Sequence, residues 1–182
     1  MKFNYHKLDG IHAFLAPSKY AWVTYDEEKL EGVYSNWRLA QLGTELHELA
    51  AKLIDLRVKL PKTNKTLNMY VNDGIGYRMN TEVCLFYSFN CFGTADAVSF
   101  HNNLLRIHDL KNGKTPASIQ QLRIYAALFC LEYGYNPRDI DMELRIYQSD
   151  EVLIEIPNPE DILYIMDKIV LFDKRINEIK EY

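Results

Sequence analysis

Apolar residues recur at three- and four-residue steps through residues 37–56 of the chain. This spacing is typical of an amphipathic helix, and His47 lies in the middle of it. A weaker helical pattern covers about residues 64–77, where Gly74 and Gly76 leave the end of the helix undefined. Two helices are therefore predicted in the first part of the chain.

The pattern changes to a period of two at Thr81, which predicts a strand over residues 81–89 that is buried on both faces. Residues 93–100 and 104–111 are predicted to be two further strands. The polar turn His101-Asn102-Asn103 joins them, so we expect them to pair as a hairpin.

Thr115-Pro116 is a helix-start signal, and the apolar spacing that follows predicts a helix that ends at Gly134. Two more strands are predicted over residues 142–148 and 151–156, followed by a last helix that starts near Pro159. The order of elements predicts an α/β protein with a mixed sheet flanked by helices. With 182 residues, of which 48% are hydrophobic, we expect one domain over residues 1–182.

No apolar run reaches the roughly 18 residues that cross a bilayer. We therefore expect a soluble, intracellular protein with no membrane partner. The three cysteines, Cys84, Cys91 and Cys130, form no C-x-x-C pair, and we interpret them as core residues. The net charge of −4 argues mildly against unspecific DNA affinity, although bound cations offset metal-binding carboxylates.

Two carboxylates and a lysine are expected to converge on the predicted hairpin. Asp109 and Lys111 are two residues apart on one strand, so their side chains leave the same face, and Asp96 lies on the neighbouring strand. Clustered carboxylates raise each other's pKa, and a hard divalent cation relieves that cost. Asp96 and Asp109 are therefore predicted to bind Mg²⁺ or Mn²⁺, with the backbone carbonyl of Leu110 as a further ligand. Lys111 would orient the attacking water or stabilise developing charge.

Asp96 followed by Asp109-x-Lys111 is similar to the core of the PD-(D/E)XK nucleases. Gln121-x-x-x-Tyr125 resembles the additional motif of the RecB-type exonucleases, including CRISPR-associated ones. Residues 43–48 resemble the helix that carries a metal-binding histidine in that branch, which nominates His47, and residues 16–20 resemble its N-terminal opening. The resemblance covers roughly residues 14–135. It implies a restriction-endonuclease-like fold and a metal-dependent DNA exonuclease in recombination, repair or phage DNA processing. It also implies a location in the cytoplasm of a prokaryote or a phage-infected host cell.

Three further assignments concern residues outside the carboxylate–lysine cluster. Gln121 and Tyr125 share one helix face, so both can line the site or contact the DNA backbone. Glu82 is a weaker candidate for an additional metal ligand. Lys19 and Tyr20 belong to a mixture of basic and aromatic residues that a single-strand-binding surface would use, but they could equally pack the N-terminal region.

The absence of two sequence motifs limits the cofactors that we expect. Many CRISPR-associated relatives hold an iron–sulfur cluster on four cysteines, and three cysteines cannot supply one, so no cluster is expected. No phosphate-binding G-x-x-x-x-G-K-[ST] motif is present, so no bound nucleotide is expected, and any helicase or recombinase would be a partner. The sequence does not decide whether the protein forms a homo-oligomer. The alternatives to an exonuclease are a structure- or site-specific endonuclease and a non-cleaving module that binds nucleic acid or protein, such as a phage anti-defence protein.

Overall fold

The structure is a computed structural model that describes residues 13–113 and 115–180. The chain divides into two compact units, residues 1–42 and 43–182. A 3-10 helix spans Pro17–Thr24 in the first unit, and helix α1, Glu27–Asp55, continues from the first unit into the second. The prediction of one domain over residues 1–182 stays a prediction.

The second unit contains a five-stranded sheet and three further helices. The elements follow the predicted order: α2 Thr66–Gly76, β1 Asn80–Ser88, β2 Cys91–His101, β3 Leu104–Leu110, α3 Gln120–Tyr133, β4 Asp141–Gln148, β5 Glu151–Glu155 and α4 Pro159–Lys180. The strands lie side by side in the order β1-β2-β3-β4-β5. Only the β3–β4 pair is parallel, so the predicted mixed α/β architecture is confirmed.

The β2–β3 and β4–β5 connections are both two-residue hairpin turns. Asn102 and Asn103 have φ values of 51° and 62°, and Ser149 and Asp150 have values of 53° and 62°. Two successive residues with positive φ give a turn whose twist matches that of the paired strands, and Asn and Asp tolerate this conformation. The first of these turns sets the β2–β3 register, in which Ala97 lies opposite His108.

Apolar side chains cover the two faces of the sheet. Leu85, Ile107 and Leu144 pack with the buried residues of α3 and with Ile162 of α4. Leu110 and Ala97 pack instead with Ala50 and Ile54 of α1 and with α2. The sheet is therefore fixed between two helical layers, and the loss of a buried Leu or Ile side chain would cost about 2–5 kcal/mol.

The predicted start of α3 at Thr115-Pro116 is wrong, because the helix begins at Gln120. The side chain of Gln148 fixes the preceding segment in a non-helical form. Its Oε1 accepts the N–H of Ala117 at 3.0 Å, and its Nε2 donates to the carbonyl of Thr115 at 2.9 Å. A distant residue thus overrides the local helix-start signal.

The expectation that β1 is buried on both faces is also wrong. Leu85 is fully buried, whereas Glu82, Cys84 and Phe86 on the other face are exposed. β1 is also an edge strand of the sheet. Cys84 is consequently not a core residue, although Cys130 is buried as predicted.

The two long helices begin with acidic residues. Glu27 and Glu28 open α1, and Glu160 and Asp161 open α4. Carboxylates at the first turn interact favourably with the positive end of the helix dipole. In the described part of the chain, no helix combines the length and the apolar character needed to cross a membrane.

Candidate functional site

Asp96 and Asp109 lie at the end of the β2–β3 pairing. The last register pair is Ala97 with His108, so the next residues along the two strands are these two aspartates. Asp96 Oδ2 accepts the backbone N–H of Leu110 at 2.8 Å, which fixes the carboxylate against β3. The role predicted for the Leu110 carbonyl stays a prediction.

The carboxylate of Asp109 is almost fully buried, with 3% of the residue exposed. Lys111 Nζ lies 3.0 Å from its Oδ2, but that oxygen has no hydrogen bond within the described residues. Burial, together with the charge of Asp96, raises the pKa of Asp109 to about 6. The lysine opposes this effect without cancelling it.

His47 approaches the same carboxylates from α1. Its Nδ1 lies 3.2 Å from Asp96 Oδ1, and this hydrogen bond raises the pKa of His47 against the opposing effect of burial. Gly43 lies one turn earlier, where an added Cβ would stand 3.0 Å from the side chain of Asn112. The absence of a side chain at Gly43 therefore lets α1 approach the segment that follows β3.

Gln121 and Tyr125 on α3 connect Lys111 to strand β2. Gln121 Oε1 lies 3.4 Å from Lys111 Nζ, and Gln121 Nε2 lies 3.3 Å from Tyr125 Oη. The Tyr125 hydroxyl donates to the carbonyl of Thr94 at 2.7 Å. A line of polar contacts thus runs from Asp109 through the lysine, the glutamine and the tyrosine to the backbone of β2.

Gly93 is part of this arrangement and was not predicted as a site residue. A Cβ at Gly93 would stand 3.1 Å from Cε1 of Tyr125. A glycine inside a strand is a known sign of close approach by another group, so the sequence did contain a signal for this contact.

The metal-binding role predicted for Glu82 stays a prediction. Glu82 is exposed and has a φ of 49°, and continuation of the β1–β2 register places it opposite Asp96. Partial burial and the charge of Asp96 raise the pKa of Glu82. Lys19 and Tyr20 are exposed residues of the 3-10 helix in the first unit, so their DNA-binding role stays a prediction.

A buried polar network under the site was also missed. His108 is fully buried, and its Nδ1 lies 3.3 Å from the hydroxyl of Tyr147, which donates to Asp73 Oδ2 at 2.7 Å. Burial and the nearby arginines lower the pKa of His108 to about 3, so the ring is neutral. The network ties α2 to the parallel pair β3–β4 directly beside Asp109.

The donor set fits a hard divalent cation in chemistry. Mg²⁺ is commonly held by one or two carboxylates together with water and substrate phosphate, and Asp109 Oδ2 is a buried oxygen that lacks a hydrogen bond. Within residues 13–113 and 115–180, no three His, Cys, Asp or Glu side chains stand around one point as a complete protein-only metal site. Asp96 and Asp109 match the one or two carboxylates of a magnesium site in which water and substrate phosphate supply the remaining ligands.

No protein-family model matches the chain, and no curated protein matches it. Among solved structures, the chain is similar to one described as "Crystal structure of SSO0001", with 11% sequence identity and a TM-score of 0.32. The match covers 59% of this chain and 57% of that chain. At this TM-score the likeness supports no conclusion about fold or function.

Proposed function

We propose that this protein is a metal-dependent deoxyribonuclease of the PD-(D/E)XK superfamily, in the RecB-type exonuclease branch, with a restriction-endonuclease-like fold. One observation carries the proposal: side chains that are far apart in the sequence lie in one connected cluster. The cluster comprises His47 of α1, Asp96 of β2, Asp109 and Lys111 at the end of β3, and Gln121 and Tyr125 of α3. Structural packing alone does not require two carboxylates to face each other at low exposure.

Asp96 and Asp109 would hold Mg²⁺ or Mn²⁺, with His47 as a nitrogen ligand and the Leu110 carbonyl as a further oxygen. When bound, the ion would activate water and neutralise charge on a phosphodiester. At neutral pH Asp109 is largely ionised, because its pKa of about 6 lies below 7. The carboxylate is therefore available as a ligand. Because it is buried, its ionised form lowers the stability of the fold when no metal is bound.

Lys111 would act on the substrate rather than on the fold. Its ammonium group lies 3.0 Å from Asp109 and 3.4 Å from Gln121, so its position is defined from two sides. An ammonium held there can hydrogen-bond the attacking water or a phosphate oxygen as negative charge develops. Gln121 and Tyr125 are positioning residues in this scheme.

The experiment that tests the proposal uses end-labelled linear DNA and covalently closed circular DNA, each incubated with Mn²⁺ or with EDTA. Digestion of linear DNA alone supports an exonuclease, and cleavage of the circle indicates an endonuclease. Asp109→Asn should be inactive, whereas Asp167→Asn, which removes an exposed carboxylate on α4, should be fully active. Equal activity of both variants, or no cleavage with any divalent ion, would contradict the proposal.

A non-cleaving binding module is the second candidate. The observation in its favour is that His47 pairs with Asp96 and Lys111 pairs with Asp109, so these groups partly satisfy one another. Such a protein would bind nucleic acid or protein without metal-dependent turnover. Binding of DNA in Mn²⁺ with no loss of substrate over time would favour it over the nuclease.

A further inference from the structure

Helix α1 ends in a hydrogen-bond motif that places Arg57 in a left-handed conformation. The N–H of Val58 donates to the carbonyl of Leu53 at 2.9 Å, and the N–H of Arg57 donates to that of Ile54 at 3.0 Å. The φ of Arg57 is 54°. Glycine is the usual residue at this position, because a Cβ is disfavoured there.

Helix α2 ends in the same motif, again with an arginine. The N–H of Met79 donates to the carbonyl of Gly74 at 2.9 Å, and the N–H of Arg78 donates to that of Ile75 at 3.2 Å. The φ of Arg78 is 53°. Two arginines therefore occupy equivalent, sterically unfavourable positions.

Helix α3 also ends in this motif, but with a glycine in the left-handed position. There the N–H of Tyr135 donates to the carbonyl of Cys130 at 3.0 Å, and the left-handed residue is Gly134, with a φ of 72°. A strained residue that persists in place of glycine points to a role beyond the turn itself.

Arg57 and Arg78 line one cavity of about 480 Å³ between the ends of α1 and α2 and the start of β1. In the described part of the chain, neither guanidinium forms an ion pair or a side-chain hydrogen bond. Asp55 also lines the cavity, but its Oδ1 accepts the hydroxyl of Thr81 at 2.8 Å. The cavity thus presents two unpaired cations and one engaged carboxylate.

The cavity lies next to the candidate site. Thr81 on its wall pairs with Ala97, the neighbour of Asp96 on β2. Along α1, Ile54 of the cavity follows His47 by two helical turns, about 10 Å at 1.5 Å per residue. A polymer whose cleavage point lies at the aspartates would extend into this cavity by a short length of chain.

We propose that Arg57 and Arg78 bind a backbone phosphate of the nucleic-acid strand adjacent to the cleavage point, an inference that rests on the proposed nuclease function. The planar guanidinium group matches the geometry of phosphate oxygens and keeps its charge at all physiological pH values. The net charge of the chain is −4, so a strand needs a local cationic site such as this one. A purely structural alternative is that each arginine interacts with the negative end of its own helix.

Glycine substitutions separate these two roles. Arg57→Gly and Arg78→Gly remove the cation but suit the left-handed backbone, so the variants should melt at or above the wild-type temperature. Binding is measured as the fluorescence anisotropy of fluorescein-labelled single-stranded and duplex DNA in EDTA, over a series of salt concentrations. Lys174→Gln, which removes an exposed cation on α4, is the control for net charge.

Each phosphate contact contributes about 0.7 to the slope of log K against log salt for a single strand and about 0.9 for a duplex. Because both arginines contact the same phosphate, the double variant should lose about that amount from its slope, while Lys174→Gln retains the wild-type slope. A wild-type slope and affinity in the double variant would overturn the inference. Should the glycine variants fail to fold, Arg57→Asn and Arg78→Asn decide by the same criterion, since Asn tolerates the left-handed conformation.

The failure of this inference is distinguishable from failure of the proposed function. A wild-type protein that binds and cleaves DNA, with double-variant binding unchanged, rejects only the arginine site. A wild-type protein that binds neither form of DNA rejects the nuclease and the arginine site together.

Discussion

The ammonium group of Lys111 lies 3.0 Å from Asp109 Oδ2, yet the pKa of Asp109 is raised to about 6 from 3.8. Burial is the largest cause, and the nearby charge of Asp96 adds to it. Removing a carboxylate from water thus outweighs one adjacent cation, because the ion pair does not replace the hydration that Asp109 loses. Asp109 is consequently a residue whose ionised form destabilises the metal-free fold.

Asp109→Asn should stabilise the metal-free protein at pH 8 while abolishing Mn²⁺ binding and cleavage. The difference between 3.8 and about 6 corresponds to about 3 kcal/mol, the upper bound of the gain. Because the folded pKa is the higher one, the favourable contribution of protonated Asp109 is complete below pH 3.8 and is lost as the pH rises through about 6. Melting in EDTA at pH 8 and pH 4, with calorimetry for Mn²⁺, measures both effects.

The gain in stability should therefore shrink at the lower pH. Mn²⁺ binding of wild-type strength in the variant would show that Asp109 is not a metal ligand. Equal stabilisation at pH 8 and pH 4 would show that the ionised Asp109 carboxylate does not destabilise the metal-free fold.

Lys111→Met should abolish cleavage and leave Asp109 without its cation. We expect the pKa of Asp109 to rise further, so that Mn²⁺ binding in the variant requires a higher pH than in the wild type. Calorimetric titration with Mn²⁺ across pH 5–9 checks this prediction (a range of about four units, ample for a shift of one or two). A wild-type pH profile of Mn²⁺ binding would show that Lys111 does not control the charge of Asp109.

His47→Ala should lower activity and shift the metal preference away from Mn²⁺ toward Mg²⁺, because imidazole favours Mn²⁺ more than carboxylates do. The raised pKa of His47 means that its pairing with Asp96 contributes stability below pH 6.5 and loses it as the pH rises past the folded value. Cleavage rate against metal concentration is measured together with melting temperature. An early-melting variant with an unchanged metal response would make His47 structural only.

Gly93→Ala should reduce activity by displacing the Tyr125 ring, since the new Cβ would stand 3.1 Å from Cε1. The expected destabilisation is about 1–3 kcal/mol, typical of an overpacked contact. Gly76→Ala is the matched control, because no atom lies within 4 Å of its Cβ position. Tyr125→Phe keeps the ring and removes only the hydrogen bond to Thr94, and it should retain more activity than Gly93→Ala. Equal activity of Gly93→Ala and Gly76→Ala would contradict the positioning role.

Local patterns sufficed for the elements whose signals come from neighbouring residues. The period of two predicted β1 to β3, and Gly134 predicted the end of α3. The start of α3 was misplaced because Gln148, on a later strand, holds residues 115 and 117. A pattern of neighbouring residues cannot predict a contact between segments that are far apart in the sequence.

The part of the candidate site that depends on neighbouring residues was also predictable from the sequence. Strand alternation and hairpin pairing place Asp96 near Asp109, and helical spacing places Gln121 beside Tyr125. The buried His108 network and the approach of α1 through Gly43 depend on tertiary packing between distant segments. The left-handed backbones of Arg57 and Arg78 have no sequence signal, because glycine is the usual residue at such positions.

The parallel pairing of β3 with β4 has a consequence for the order of biosynthesis. Every proposed site residue precedes Gly134, but Lys111 is held by a hydrogen bond from its N–H to the carbonyl of Tyr147, on a strand that is made later. Parallel pairing across a helical crossover closes a long loop, which is slow relative to local contacts. When only residues 1–133 have left the ribosome, all the proposed metal ligands are present, but β4, the parallel partner of β3, is still missing. If the proposed nuclease function holds, we expect hydrolytic activity only after Gln148 has left the ribosome, so that a shorter product would not cleave DNA.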